Sequence, residues 1–528
     1  MAGPGGRPPK LVLCVIDAMA PEMLERAVDS GAAPVLQTLM ERGRYVPDCV
    51  AAFPSVTPVC AASIITGTAQ DRHRVPAMNW FHRGEQRYIE YGSSFRSAQR
   101  FGIARQLTDT VYNMNRAHLS QDTPTVFETL DDADVRTAGT TYLMYRGRHR
   151  HEPQRDTALT RVAATLMRHA VMGPRELFYA DIFSSRPTGC RSGLGMPGVR
   201  DRHSGCVSSY MVEHDLFDFL LLSLPDNDWY SHKRGPEAQL QSLAQADLQL
   251  ARVCEAAGGV DAFLSEHAVI AMADHSQAPV TDTIALQDEL ADLGVLGPSR
   301  ASGEEEPRIA VCPSQRAAMV YALHEAERDA MRASVVTRAM SIEGVDHVMW
   351  LGRDAHDVPR EGVLASGVHG ELRFRPVAAD DDGSPRDETV RDPRGIRWAV
   401  EGPLAVIGGS VAGGRLLTPD YPDVLARVWA ALTCPASGEV LLSAAPGYEF
   451  IDWGRQAHVG GGSHGSLHAS DSLGALIAYG VELPAREPAQ WAIRDVAQLV
   501  LGHFGLDDAD AVSDAAPPEP RSHARRSR

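Results

Sequence analysis

The chain lacks an excess of positive charge, a paired-cysteine motif, a long apolar run and an internal repeat. Each of the first three absences removes a class of function. Lys and Arg together number 51 against 68 Asp and Glu, a net charge of −17. Nucleic-acid polymers and anionic membrane surfaces are bound through basic faces, so neither is an expected partner. A small anionic substrate stays open, because bound metal ions reverse the local field. None of the eight cysteines falls in CxxC spacing, and most stand among apolar or small residues. They read as free thiols of a reducing compartment rather than zinc thiolates. No stretch approaches the roughly eighteen apolar residues of a membrane-spanning helix. The run Leu11–Ile16 is too short for a secretory signal and is broken by Asp17. The expected location is therefore cytoplasmic.

What is present is ordinary for a large globular protein. Hydrophobic residues make up 44% of the 528, enough to bury a core without staples. LVLCVID at the N-terminus reads as a short buried strand. The stretch PEMLERAVDSGAAPVLQTLMERG follows with helical periodicity and a proline near its start. A strand running into a helix points to a layered α/β fold. Further strands are expected at Phe217–Leu224, Ala268–Met272, Arg308–Cys312, Val440–Ser443 and Gly474–Tyr479. Polar clusters follow several of them, where open α/β sheets place their active-site loops. Residues 79–202 mix aromatic, Arg and His residues and read as an insertion covering the site. Residues 299–307 and 378–395 read as charged surface loops, and 511–528 as a disordered tail.

Five segments share one character, an Asp, His or hydroxyl at a strand edge or in a small-residue loop. They are VIDAM with Asp17, FPSVTPVCAASIITG with Thr57, LPDNDWYSHKRGP, AMADHSQAP and VGGGSHGSLH. Asp228 and His232 are four apart, so a helical turn projects both from one face, a way to seat a metal ion. Asp226 competes for the carboxylate role. Asp274 and His275 are adjacent and converge only in a loop leaving a strand. His464 stands among glycines that let the backbone fold tightly around a ligand, with His468 as the backup. Taken singly, each residue has an ordinary reading. Asp17 is a turn former, the Asp-x-x-x-His pair a helix-surface pair, and Thr57 a helix N-cap. Cys60 is a small buried residue of the helix after Thr57. The ordered set, mostly at strand ends, is hard to reach by chance.

In that order and composition the segments resemble the type I phosphodiesterase and nucleotide pyrophosphatase branch of the alkaline phosphatase superfamily. The resemblance spans about residues 10–503. It implies a single catalytic domain, an α/β/α sandwich around a mixed, mostly parallel sheet, with 79–202 as a covering insertion. It also implies two divalent metal ions, taken as zinc. One would be held by Asp228, His232 and His464, the other by Asp17, Thr57, Asp274 and His275. Thr57 would attack phosphorus and pass through a phosphothreonine. Asn79 in PAMNWF lies within about one residue of the place where the branch has an asparagine on the phosphoryl oxygen. The familiar Asp-x-x-Gly-His form is Asp-x-x-Ser-His here.

The expected substrate is a phosphodiester or pyrophosphate with a nucleotide-like leaving group. Phosphonoacetate-type phosphonates and phosphomonoesters are alternatives on the same site. A non-catalytic metal-binding relative is a third. CAAS at Cys60 does not match the Cys-x-Pro-x-Arg type motif that sulfatases need. No Arg adjoins Thr57 to balance the extra charge of a monoester. YRGRHRHEP reads first as a solvated basic turn; its rival reading gives Arg146, Arg148 or Arg150 to a distal phosphate. Trp80, Phe81 and Tyr91 read first as packing and second as a stacking surface for a base. The oligomeric state is not legible in the sequence.

Overall fold

The computed structural model describes residues 8–155, 160–161, 167–298, 306–353, 358–377, 388–484 and 489–506. The expected tail at 511–528 and most of the two charged loops, residues 299–305 and 378–387, lie outside them.

Three strands lead into site residues, β1 (Lys10–Ile16), β2 (Phe219–Leu224) and β3 (His267–Met272), and β4 (Leu473–Tyr479) lies beside β3. They belong to an eight-stranded sheet in the order Arg44–Val50, β4, β3, β1, β2, Thr137–Gly139, Glu176–Tyr179, Phe183–Ser184. β1 pairs in parallel with both β2 and β3, while β4 runs antiparallel to β3 and to Arg44–Val50. The sheet is mixed and mostly parallel at its centre, as expected. Both faces are buried. Successive side chains of a strand point to opposite faces. In β1, Leu11, Leu13 and Val15 join one apolar cluster, and Val12, Cys14 and Ile16 join the other. A parallel sheet covered on both sides needs such uninterrupted apolar strands. The helical stretch after β1 divides into Pro21–Asp29 and Pro34–Arg42, with Gly31 at φ +73° in the turn between them.

A second sheet of ten strands lies between residues 309 and 444. The expected strands at Arg308–Cys312 and Val440–Ser443 form, as Ile309–Ser314 and Val440–Ala444, but belong to this sheet and not to the central one. Within 378–395, Glu388–Arg391 is a strand rather than a loop. Residues 79–202 are not wholly separate from the core. Their strands Thr137–Gly139, Glu176–Tyr179 and Phe183–Ser184 build one edge of the central sheet.

The cysteine expectation is corrected. Cys190 and Cys206 form a disulfide across a Cα–Cα distance of 5.9 Å, and the other six thiols are free and buried. The two partners are separated by 16 residues, so no local spacing announces them. Disulfides persist in oxidising compartments, so the thiol count no longer supports a cytoplasmic location. Among the described residues, no helix is long and apolar enough to cross a membrane.

Candidate metal centre

Asp17, Asp228, His232, Asp274 and His275 follow the C-terminal ends of the parallel strands, where the chain leaves the sheet, while His464 follows the short strand Gly462–Ser463 of a separate three-stranded sheet. Asp17 follows β1, and Asp274 and His275 follow β3. α1 (Thr57–Thr66) begins with Pro58 in its first turn and ends at Gly67, whose φ of +68° is the left-handed stop that glycine accepts. α2 (Asp226–Arg234) follows β2 directly and carries Asp228 and His232 one turn apart on one face.

Six of the seven candidate metal ligands converge as two groups. Asp228, His232 and His464 form one and Asp17, Asp274 and His275 the other; within each, the ligand atoms all lie within 4.8 Å of one another. Asp228 stands 3.4 Å from His232 Nε2 through Oδ2 and 3.5 Å from His464 Nε2 through Oδ1. His275 Nε2 lies 3.6 Å from both Asp17 Oδ1 and Asp274 Oδ2. Thr57 Oγ1 lies 3.3 Å from the same Nε2. A tetrahedral ion with arms of about 2 Å separates its donors by about 3.3 Å. The groups adjoin, since the His275 and His464 rings stack with centroids 3.8 Å apart.

Each histidine is turned by its other nitrogen. Nδ1 of His232 bonds the Gly462 carbonyl at 2.8 Å, that of His464 the Ser55 carbonyl at 2.7 Å, and that of His275 the Ser276 carbonyl at 3.2 Å. A bonded Nδ1–H leaves the Nε2 lone pair facing the group, which is how proteins orient metal-binding histidines. Burial, reinforced by His275 and His232, holds His464 well below its usual range, so the ring is in the neutral, ligating form. Asp17 is pushed the other way, well above the usual carboxylate range, by burial and then by the charges of Asp274 and Asp228. Asp17 Oδ1 and Asp274 Oδ2 are buried without a hydrogen-bond partner. Crowded carboxylates, each with an unpartnered buried oxygen, beside imidazoles whose Nε2 atoms face them fit divalent cations. The donor set, oxygen and nitrogen without sulfur, suits zinc or a similar ion.

Thr57 is not a cap. Val56 holds the N-cap position, and among the described residues the Thr57 hydroxyl bonds no backbone N–H. Asp226 does not compete for the metal position. It is buried and accepts from Gly198 N–H, Arg200 Nε and Asp201 N–H. His468 stands apart, its Nδ1 on the Ser470 hydroxyl at 2.9 Å. Asn79 is buried, donates its side-chain Nδ2 to the Ile89 carbonyl at 2.9 Å and leaves Oδ1 without a partner. Its backbone N–H donates to Ser314 Oγ at 3.1 Å. That ties it to the turn whose Arg316 N–H donates to the His464 carbonyl at 2.9 Å.

The arginines of YRGRHRHEP have other partners. Arg146 is buried, bonds Glu128 at 3.0 Å and donates to the carbonyls of Ser120 and Thr123. Arg148 pairs with Glu128 and Asp132, and Arg150 with Glu152. Arg146→Met is therefore expected to lower the urea midpoint, a broken buried pair costing about 3–5 kcal/mol, while leaving KM unchanged in a steady-state assay. Trp80, Phe81 and Tyr91 are buried in the core, and the Tyr91 hydroxyl bonds His118 at 2.7 Å.

The sequence missed the supports. Gln277 donates to Asp228 Oδ1 at 2.5 Å, and Ser55 Oγ accepts from Gly465 N–H at 3.0 Å and donates to the Ser466 carbonyl at 3.1 Å. Both stand inside segments already singled out, but nothing in their spacing marks them.

The family model for type I phosphodiesterase / nucleotide pyrophosphatase matches residues 11–361. The chain belongs to this family. Membership places it among phosphoryl-transfer hydrolases. No curated protein matches the sequence. Among solved structures, phosphonoacetate hydrolase from Sinorhizobium meliloti 1021, in complex with phosphonoformate, is 16% identical with a TM-score of 0.52. The alignment covers 94% of this chain and 98% of that one. An inactive murine ectonucleotide pyrophosphatase / phosphodiesterase 5 in complex with AMP is 10% identical with a TM-score of 0.55, covering 96% and 100%. The human protein of the same name is 11% identical with a TM-score of 0.52, covering 96% and 100%. At these identities the similarity is one of fold, the alkaline-phosphatase-like α/β architecture.

Proposed function

We propose that the chain, as one catalytic domain over residues 10–503, hydrolyses a phosphodiester or pyrophosphate bond of a nucleotide-like substrate. Thr57 is the nucleophile. Asp228, His232 and His464 hold one divalent ion, and Asp17, Thr57, Asp274 and His275 hold the other, both taken as zinc. The observation that carries this reading is the Thr57 hydroxyl at the start of α1, 3.3 Å from His275 Nε2 and beside two adjoining ligand groups.

When bound, the ions supply Lewis-acid stabilisation of phosphoryl and departing oxygens and lower the pKa of a coordinated hydroxyl. Thr57 Oγ1 gives up its proton to solvent and forms a bond to phosphorus as the bond to the leaving group breaks. The electron pair departs with the leaving-group oxygen. Water then hydrolyses the phosphothreonine and restores the hydroxyl. The N-terminus of α1 favours the negative charge that gathers there. Asn79 holds a non-bridging oxygen, its Nδ2 exchanging the Ile89 carbonyl for the substrate.

The nucleotide-like leaving group is supported by the family and by the AMP bound to the murine relative in fold. A second reading, phosphonate hydrolysis at the same site, is supported by the fold shared with phosphonoacetate hydrolase. Hydrolysis of a nitrophenyl phosphodiester, nitrophenyl phosphate and phosphonoacetate by the zinc-loaded protein separates the two. The diester is expected to react fastest. A preference for phosphonoacetate or the monoester would overturn the substrate class and keep the two-ion site. No turnover with two ions bound would favour a non-catalytic relative.

A further inference from the structure

Two side chains flank His232 without belonging to either ligand group. Gln315 occupies the turn between strands Ile309–Ser314 and Ala317–Ala322, with φ at +62°. It is 9% exposed, and its Oε1 is buried with no hydrogen-bond partner. Its Nε2 lies 3.5 Å from His232 Nε2. His232 Nδ1 is committed to the Gly462 carbonyl, so the lone pair that Gln315 approaches is the one a metal ion would take. Metal binding therefore leaves the Gln315 amide, donors and acceptor together, without that partner in a buried position. Buried amides are rarely left so.

His458 lies on the other flank. Its ring is 4.2 Å from that of His232, centroid to centroid. Glu449, almost fully buried, fixes it. The carboxylate accepts from His458 N–H at 2.6 Å, pairs with Nδ1 at 2.7 Å, and accepts from Ser463 Oγ at 2.7 Å. The ring cannot swing, and Nε2 is the edge left over. Among the described residues nothing bonds that atom, and the side chain is 28% exposed. A carboxylate that orients an imidazole and leaves its far nitrogen open is an arrangement for engaging something from outside the chain.

We propose that Gln315 and the Glu449-oriented His458 bind the leaving group, recognising oxygen atoms next to the bond that breaks. This rests on the functional reading above and adds to it that the Asp228, His232 and His464 group faces the departing side. Gln315 contributes amide N–H donors, and His458, whose Nδ1–H is committed to Glu449, meets a leaving-group oxygen at Nε2 across one proton taken up with the anion. Glu449 acts through His458 as a positioning residue. Both contacts select leaving groups that carry polar oxygens, such as a carboxylate, close to phosphorus.

The test compares two probes that share a phosphonate and differ by one carboxylate. Phosphonoacetate and methylphosphonate are titrated by calorimetry into the two-metal protein carrying Thr57→Ala, which prevents turnover. Phosphonoacetate is expected to bind about tenfold more tightly, and Gln315→Ala or His458→Ala each to cut that ratio about fivefold. Methylphosphonate affinity and the content of two metal ions stay unchanged. His458→Gln, which keeps a polar tip, retains more of the ratio than His458→Ala, and Gln315→Leu, which keeps the volume, matches Gln315→Ala. Equal ratios in parent and variants overturn the proposal. So does loss of a metal ion in Gln315→Ala or His458→Ala, which would make the residue a ligand or a ligand support. If the parent does not discriminate while wild-type protein hydrolyses the nitrophenyl diester, this inference fails alone. If neither probe binds and no ester is hydrolysed, the functional reading fails and takes the inference with it.

Discussion

Thr57→Ala is expected to lower kcat for the diester by on the order of 10⁴- to 10⁶-fold, the scale seen when a covalent nucleophile is removed. The argument is geometric. Thr57 Oγ1 lies 3.3 Å from His275 Nε2, at the first residue of a helix whose following eight residues, Pro58 to Ile65, are all buried. Such a helix cannot shift to bring another hydroxyl into place. The group of Asp17, Asp274 and His275 keeps three of its four donors in the variant, so both ions should remain by metal analysis. Thr57→Ser keeps the hydroxyl and is expected to retain a measurable part of the activity. Full activity in Thr57→Ala would show that water, or another residue, attacks phosphorus directly.

Metal removal is the second large effect, and it should act on stability as well as turnover. Asp17 is pushed up by burial and by Asp274 and Asp228, so without cations these carboxylates crowd one another in a dry site. An ion held at a thousandfold excess over its Kd stabilises the folded state by about 4 kcal/mol. Two such ions should make the thermal midpoint fall clearly on chelation and recover when zinc is returned, with turnover following both changes. Asp228→Asn is expected to bind one ion rather than two, because Asp228 touches both His232 and His464 in a single group. A thermal midpoint indifferent to chelator would mean that the ligand groups do not hold ions tightly in the folded protein.

The residues that announced themselves in the sequence were those whose chemistry repeats at strand ends. Asp17, Asp228, His232, Asp274, His275 and His464 all lie just beyond an apolar run or in a glycine-rich loop, and the fold brings them together. Strands β1 to β4 were legible for a related reason, since a strand buried on both faces is an unbroken apolar stretch. The second sheet was not legible as a sheet, because its pairings are set by contacts remote in sequence. Ala317–Ala322 pairs with Val440–Ala444, more than a hundred residues on. Gln315 is invisible for a related reason. It reaches His232 from a turn in that second sheet, 83 residues away. The disulfide joins Cys190 to Cys206 across a loop that carries no motif. Arg146 looked available in the sequence and is instead buried against Glu128, a capping carboxylate on the helix Val126–Asp132.

The most direct test of the account is the stereochemical course at phosphorus. A chiral nitrophenyl phosphorothioate diester is hydrolysed in isotopically labelled water by the two-metal protein, and the configuration of the product is read. Attack by Thr57 followed by attack of water is two in-line displacements, so the account predicts overall retention. Inversion would mean a single displacement by water and would contradict the role assigned to Thr57.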